Sequence, residues 1–267
     1  MSDAGSMVES PASVRLTVLA PAHNEEENVA LLAEQTEKAL SETGITWELV
    51  VVDDGSTDRT REILLDLAQT RPWLHVVGMQ NTPPGKGNGQ SAAFHAGIRA
   101  SRGELIATLD ADLQNDPADI PQMLKLLDEQ NADMVQGDRS HARQDSFIRK
   151  FGSRVGRSFR KMILGDTIRD TGCSLRVVKR EYAMRLPLEF KGMHRFIPAT
   201  TRHLGGKVIE MRVNHRERHA GETKYGMGIV QRAIPGLIDC FAVRYMRNRR
   251  RPVTGAEVTQ HTEAPGT

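Results

Sequence analysis

Thr108-Leu109-Asp110-Ala111-Asp112-Leu113-Gln114 follows directly on the apolar run Leu105-Ile106-Ala107, and this change from hydrocarbon to carboxylate decides how the chain is read. A short apolar run ending in acids predicts a buried strand that delivers Asp110 and Asp112 to its carboxyl end, the edge at which open α/β sheets hold their ligands. One residue separates the two acids. Once the strand relaxes into a turn both can reach one hard cation, and Gln114 adds a neutral oxygen. Such a donor set suits Mg²⁺ or Mn²⁺. The plainer account is that the acids only cap the following helix, since Asp116 with Pro117 after it is an N-cap with proline at the first helical position. That explains Asp116 and leaves Asp110 and Asp112 without a reason.

The segments on either side repeat the pattern. Val14-Arg15-Leu16-Thr17-Val18-Leu19-Ala20 predicts a first strand stopped by Pro21. A helix is expected from about Glu25, with Asn24 and Glu27 spaced as a capping box and Val29, Leu32, Thr36 and Leu40 on one face. Glu48 to Val52 is too continuously apolar for a sheet wet on one side, and it runs into Asp53-Asp54-Gly55-Ser56. A helix near 60–70, a strand near 75–79, a loop with Gly85, Lys86, Gly87 and Gly89, and a helix near 90–101 lead back to the acids. Ala132 to Gly137 reads as a further strand. Strand alternating with helix implies a mostly parallel, doubly wound α/β sheet, covered on both faces, with functional groups in the loops after the strands.

A chain of 267 residues can bury a substantial core. Its formal charge of +2 gives no global sign of nucleic-acid binding. Cys173 and Cys240 lie far apart without metal-ligand spacing, so neither a zinc site nor a disulfide framework is expected, and a reducing compartment is. No stretch reaches the roughly 18 to 20 apolar residues that span a bilayer. Residues 1–13 and 252–267 are small, polar and proline-containing, and are read as disordered tails.

Beyond Asp138 the charge becomes lopsided. Arginines and lysines far outnumber acids between residues 139 and 169, and Phe147, Phe151, Val155, Phe159 and Met162 recur at helical spacing. A second amphipathic stretch carries Ile229, Val230, Ala233, Ile234, Leu237, Phe241 and Tyr245, with a kink expected at Pro235, and closes on Arg247, Arg249, Arg250 and Arg251. Each stripe can pack on the protein with its charges solvated, or it can lie in a membrane interface; as a cluster the charges favour an anionic surface.

Taken together, Pro21-Ala22-His23-Asn24-Glu25, Val51-Val52-Asp53-Asp54-Gly55-Ser56-Thr57-Asp58 and Leu109-Asp110-Ala111-Asp112-Leu113-Gln114 resemble the ordered motifs of inverting family 2 glycosyltransferases with the GT-A (Rossmann-like) fold. Gly137-Asp138-Arg139, Asp170-Thr171-Gly172-Cys173-Ser174-Leu175-Arg176, His194-Arg195-Phe196-Ile197-Pro198 and Thr223-Lys224-Tyr225-Gly226 resemble the polyprenyl-phosphate branch typified by dolichol-phosphate mannose synthase. The resemblance implies a catalytic domain over 14–226; the second amphipathic stretch, after which many relatives continue into transmembrane helices, is read from its own spacing and charge as a basic interface helix over 227–251. The resemblance places the nucleoside of a GDP- or UDP-sugar among Pro21, His23, Glu25 and Asp53, with His23 either stacking on the base or serving structure alone. Asp110, Asp112 and Gln114 would hold the metal, which absorbs charge on the leaving diphosphate. The loop with Lys86 would cover the phosphates or merely connect.

The acceptor follows from charge. A sugar hydroxyl needs a general base, whereas a phosphate monoester, with a second pKa of about 6, is already ionised and needs only positioning. Arg139, Arg176 and Lys224 are the candidates for holding donor or acceptor phosphate, with Arg149 and Arg154 behind them. The implied activity is transfer to a polyprenyl phosphate at the cytoplasmic face of the membrane, by a peripheral protein or one anchored by a separate membrane partner. Two other readings stay open: a family 2 transferase acting on a saccharide hydroxyl, and a catalytically silent nucleotide-sugar binding or scaffold module.

Overall fold

The computed structural model describes residues 13–83, 86–141, 147–216 and 229–253, with the backbone alone for 147–155 and 229–234. Seven strands form one sheet in the order β3-β2-β1-β4-β6-β5-β7. They are β1 (Leu16–Ala22), β2 (Trp47–Asp53), β3 (Leu74–Gly78), β4 (Leu105–Thr108), β5 (Met134–Asp138), β6 (Arg176–Lys179) and β7 (Val208–Arg212). All pairings are parallel except those of β6, which runs antiparallel between β4 and β5.

The helices are α1 (Val29–Leu40), α2 (Thr60–Thr70), α3 (Gln90–Ala100), α4 (Ile120–Glu129), α5 (Phe147–Leu164), α6 (Arg180–Ala183), α7 (Ile197–His203) and α8 (Ile229–Arg249). The continuously apolar strands are explained by two cores, one on each face of the sheet. Leu49 and Val51 of β2 pack with the α1, α2 and α4 side, while Val50 and Val52 pack with α3 on the other. The period of two thus survives in a strand with no polar face. At Gly97 of α3 a Cβ would lie 2.2 Å from Leu19 Cδ1 and 2.8 Å from Val52 Cγ2, so helix and sheet approach this closely only because the side chain is absent.

Two local expectations are corrected. Pro21 does not stop β1; the strand runs on to Ala22, paired with Asp53 of β2. The β4 side of β1 is paired only as far as Leu19 and Thr108, so the missing proline N–H faces the open end of that ladder and costs no bond. Nor does a helix begin at Glu25. α1 starts at Val29, and Asn24, at φ 54°, stands in a turn whose side-chain oxygen accepts from Thr57 N at 2.7 Å. The expected capping residue ties the loop after β1 to the loop after β2 instead.

α8 packs on α5, with Phe159 and Phe241 edge to face at 5.8 Å. Arg244 and Arg247 donate to the carbonyls of Ile163 and Leu164 at the end of α5, at 3.3 and 3.2 Å. Among the side chains of α8 that are described, Cys240 and Val243 are buried, and Leu237, Ile238, Phe241 and Tyr245 are exposed. Pro235 lies within the helix. Among the described residues no helix is long and apolar enough to cross a membrane. The expected tails lie outside the described residues, save Ser13, Pro252 and Val253.

Candidate active site

β2, β1 and β4 are parallel neighbours, so their carboxyl ends, which carry in turn Asp53 and Asp54, His23 and Glu25, and Asp110 and Asp112, lie along one edge of the sheet. After β4, Asp110 is half-buried and Asp112 buried. Asp112 Oδ1 accepts from Gln114 N at 3.2 Å, closing a turn in which buried Leu113 sits at φ 61°. A leucine in the left-handed region costs on the order of 1 kcal/mol or more, a conformation that persists only where the surroundings enforce it. Asp110 Oδ1 accepts from Gln90 Nε2 at 2.6 Å. As expected, Asp116 caps the next turn by accepting from Ala118 N at 3.0 Å.

On the neighbouring strand ends, His23 Nδ1 lies 2.8 Å from the Asp54 carbonyl. Asp53 is wholly buried; its Oδ1 accepts from Ser56 N at 3.0 Å and its Oδ2 from Arg61 Nε at 2.5 Å. Glu25 accepts from the Asn28 side chain at 2.7 Å. Pro21 and His23 are half-buried beside them.

Asp54 is buried and accepts from Asn88 N at 2.8 Å and Gly89 N at 2.7 Å. A Cβ at Gly87 would fall 2.3 Å from Asp54 Oδ2, so glycine allows the loop to close on this carboxylate. The amides just before α3 are therefore engaged by a protein anion, and Lys86 of the same loop is exposed.

Two buried guanidiniums feel the charge of Asp110. Arg139, just after β5, pairs with Asp170, Nε to Oδ2 at 2.9 Å, and both side chains are under 10% exposed. Burial works against its charge, but the Asp170 hydrogen bonds prevail and hold its pKa above the ordinary arginine value. Arg176 opens β6 fully buried and donates to the carbonyls of His194, at 3.0 Å, and Cys173. Burial lowers its pKa to about 10, while the carboxylates of Asp110 and Asp170 support the charge. Between the two, the Cys173 thiol is pushed up to about 11 by burial and is no nucleophile at neutral pH.

Asp110, Asp112 and Gln114 thus lie on one loop, and the Arg139 and Arg176 guanidiniums are near enough for the Asp110 carboxylate to support their charges. Lys224 falls outside the described residues, as do the side chains of Arg149 and Arg154. Asp110, Asp112 and Gln114 offer oxygens, the donors that suit Mg²⁺ or Mn²⁺. Among the described residues no three His, Cys, Asp or Glu side chains converge on one point. A cation here would complete its shell with substrate oxygens and water, as Mg²⁺ ordinarily does.

A profile of the family described as Glycosyl transferase family 2 matches residues 17–186, from the first strand of this edge through the sheet to the region after β6. The chain belongs to glycosyl transferase family 2. It is 36% identical over 249 residues to the dodecaprenyl-phosphate galacturonate synthase of Rhizobium johnstonii, spanning 90% of this chain and 70% of that protein. It is 35% identical over 233 residues to the undecaprenyl-phosphate 4-deoxy-4-formamido-L-arabinose transferase of Photorhabdus laumondii, spanning 87% and 70%. Among solved structures, glucosyl-3-phosphoglycerate synthase from Mycobacterium tuberculosis in complex with phosphoglyceric acid aligns with a TM-score of 0.66 at 20% identity, over 86% of this chain and 80% of that one. A mannosyltransferase from Pyrobaculum calidifontis in complex with GDP-Man and Mn²⁺ aligns with a TM-score of 0.58 at 22% identity, over 89% and 66%. Those two likenesses establish a shared GT-A fold.

This family 2 glycosyltransferase also brings to the edge residues that the sequence did not single out for it. Gln90 is one, and the way Asp54, read only as a strand-end acid, fastens the loop before α3 is a second. Another is His215, which the segment after β7 carries to the acid loop: Asn115 and His215 form a β-bridge, Arg216 N donates to the Gln114 carbonyl at 3.0 Å, and Arg216 pairs with Asp116. A fourth is His194, named in a motif but given no role. Its Nδ1 lies 2.8 Å from Ser91 Oγ, its backbone N–H donates to the same oxygen at 3.1 Å, and burial pushes its pKa down to about 3, so the imidazole is neutral. No local sequence pattern announces these contacts, which join residues from 20 to 103 positions apart.

Proposed function

We propose that this glycosyltransferase moves a sugar from a nucleotide-diphosphate donor to a polyprenyl phosphate, inverting the anomeric centre by in-line attack of the phosphate oxygen. The observation that carries the acceptor class is the identity, above one third over nine-tenths of the chain, to a protein named a dodecaprenyl-phosphate galacturonate synthase. The second relative is likewise named for transfer to undecaprenyl phosphate.

In this reading Pro21, His23, Glu25 and Asp53 hold the nucleoside, and Lys86 closes on the diphosphate from the loop that Asp54 fastens. Asp110 and Asp112, with Gln114 beside them, hold Mg²⁺ or Mn²⁺; the bound ion neutralises charge on the departing diphosphate. The Mn²⁺ in the mannosyltransferase structure of the same fold supports a divalent ion. Buried and held by backbone carbonyls, Arg176 offers a fixed positive charge toward which phosphate oxygens are drawn, with little reorganisation during the reaction, while the charge of Arg139 is balanced by Asp170. Lys224 is left to contact phosphate directly. The acceptor phosphate is ionised above its pKa of about 6, so no protein base is assigned.

The acceptor is a membrane lipid, and the reaction is placed at the cytoplasmic face, with α8 on the membrane surface through Ile238, Phe241 and Tyr245 and its terminal arginines. A separate membrane protein as anchor is compatible with this arrangement. Incubating the protein with radiolabelled nucleotide sugars and polyprenyl phosphate, and counting label in the organic phase, tests the assignment. Label is expected there with a phosphate acceptor only; equal transfer to free polyprenol or to a saccharide would replace this reading with a hydroxyl transferase.

A further inference from the structure

We propose that Gln90 is a positioning residue for the metal, fixing the Asp110 carboxylate in the orientation in which it binds the ion; this rests on the assignment of Asp110 as a metal ligand. Gln90 is the first residue of α3, and its side chain reaches across to a carboxylate 20 positions away, donating from Nε2 to Asp110 Oδ1 at 2.6 Å. A glutamine at a helix start has no helical reason to make that contact; facing solvent would serve as well.

The helix end that carries Gln90 is held from two sides. Before it, the Asp54 carboxylate takes Asn88 N and Gly89 N at 2.8 and 2.7 Å. After it, Ser91 Oγ is bonded to both the backbone N–H and the imidazole of His194. His194 in turn receives Arg176 Nη1 on its carbonyl. The Gln90 amide is thus borne on a rigid helix end between two clamps, and it hands a fixed donor to a carboxylate that sits on a turn. Carboxylates that bind metals are commonly steered in this way, and removing the outer partner costs about 10- to 100-fold in metal affinity. The neutral amide also suits the task, because a lysine there would compete with the cation for the same oxygens.

The test is Mn²⁺ binding, read from the electron paramagnetic resonance of the free ion, alone and with UDP or GDP, in wild type and Gln90→Met. Methionine keeps the length of the side chain and removes its donor. The dissociation constant for Mn²⁺ is expected to rise about 10- to 100-fold while the thermal midpoint stays put. Gln69→Met, on an exposed face of α2, should change neither. Equal Mn²⁺ affinity in wild type and Gln90→Met overturns the positioning role alone, and so does a loss of affinity that only tracks a fallen midpoint. A wild-type protein that binds no Mn²⁺ under any of these conditions overturns the metal assignment with it.

Discussion

Arg139 Nε lies 2.9 Å from Asp170 Oδ2, with both side chains under 10% exposed, so a buried guanidinium is neutralised by a partner 31 positions away. Breaking such a buried pair from one side leaves a charge without solvent or partner and costs about 3 to 5 kcal/mol. Asp170→Ala should therefore lose about that much in urea unfolding, whereas the double variant Arg139→Met, Asp170→Leu should recover much of it. A double variant less stable than the single one would mean that the pair stabilises by more than mutual compensation.

The acid loop makes a kinetic prediction. With Asp112→Ala the fold should persist and turnover should fall by roughly 10² to 10³, the usual effect of losing one electrostatic element of a transition state. EDTA in excess should abolish turnover of the wild type, and Mg²⁺ or Mn²⁺ should restore it. Full activity in EDTA, or in the variant, removes the ion from the reaction.

His194 sets a pH window. Its folded pKa is depressed to about 3 by burial, from an ordinary 6.5, so the unfolded chain takes up a proton that the folded one refuses. The stability tied to a neutral His194 is thus complete above pH 6.5 and is lost progressively as the pH falls toward about 3. Urea midpoints measured from pH 7.5 down to 4.5 should drop less steeply for His194→Gln, which can still meet Ser91 but does not titrate. Parallel slopes for the two proteins would show that other groups govern the acid limb.

Exposed Ile238, Phe241 and Tyr245 share a helix with Arg244 and Arg249, and Arg250 and Arg251 follow it. Each well-placed arginine near an anionic surface contributes about 1 kcal/mol. Sedimentation with vesicles should show binding to anionic lipid that weakens with salt, since exposed charges are screened beyond about 8 to 10 Å at moderate ionic strength. Phe241→Ser should weaken it further at any salt concentration. Equal binding to neutral and anionic vesicles at low salt would exclude electrostatic docking.

What the sequence determined by itself was whatever depends on near neighbours. A buried strand shows as an apolar run, and its end shows as the residues that cannot be buried, so Asp53 and Asp110 announced the carboxyl edge of the sheet and Asp116 its cap. The face of α1 was likewise legible, because Val29, Leu32, Thr36 and Leu40 repeat with the helix. Near neighbours misled where a distant partner competed. Asn24 has the spacing of a capping box, yet Thr57 on the next loop offered its amide, and the helix began four residues later than Glu25. Pro21 stayed in its strand because of where the β4 ladder stops, a matter of register between segments. Tertiary structure alone decided that β6 enters the sheet antiparallel and that α8 turns Cys240 and Val243 inward, leaving Phe241 and Tyr245 outside. It also decided that Arg139 and Arg176, basic residues that composition would place in water, lie buried, and that Gln90 reaches Asp110. Each of these rests on a pairing between segments far apart in the chain, where a guanidinium or an amide finds its partner only after the sheet has assembled, and no periodicity along the sequence records such a pairing.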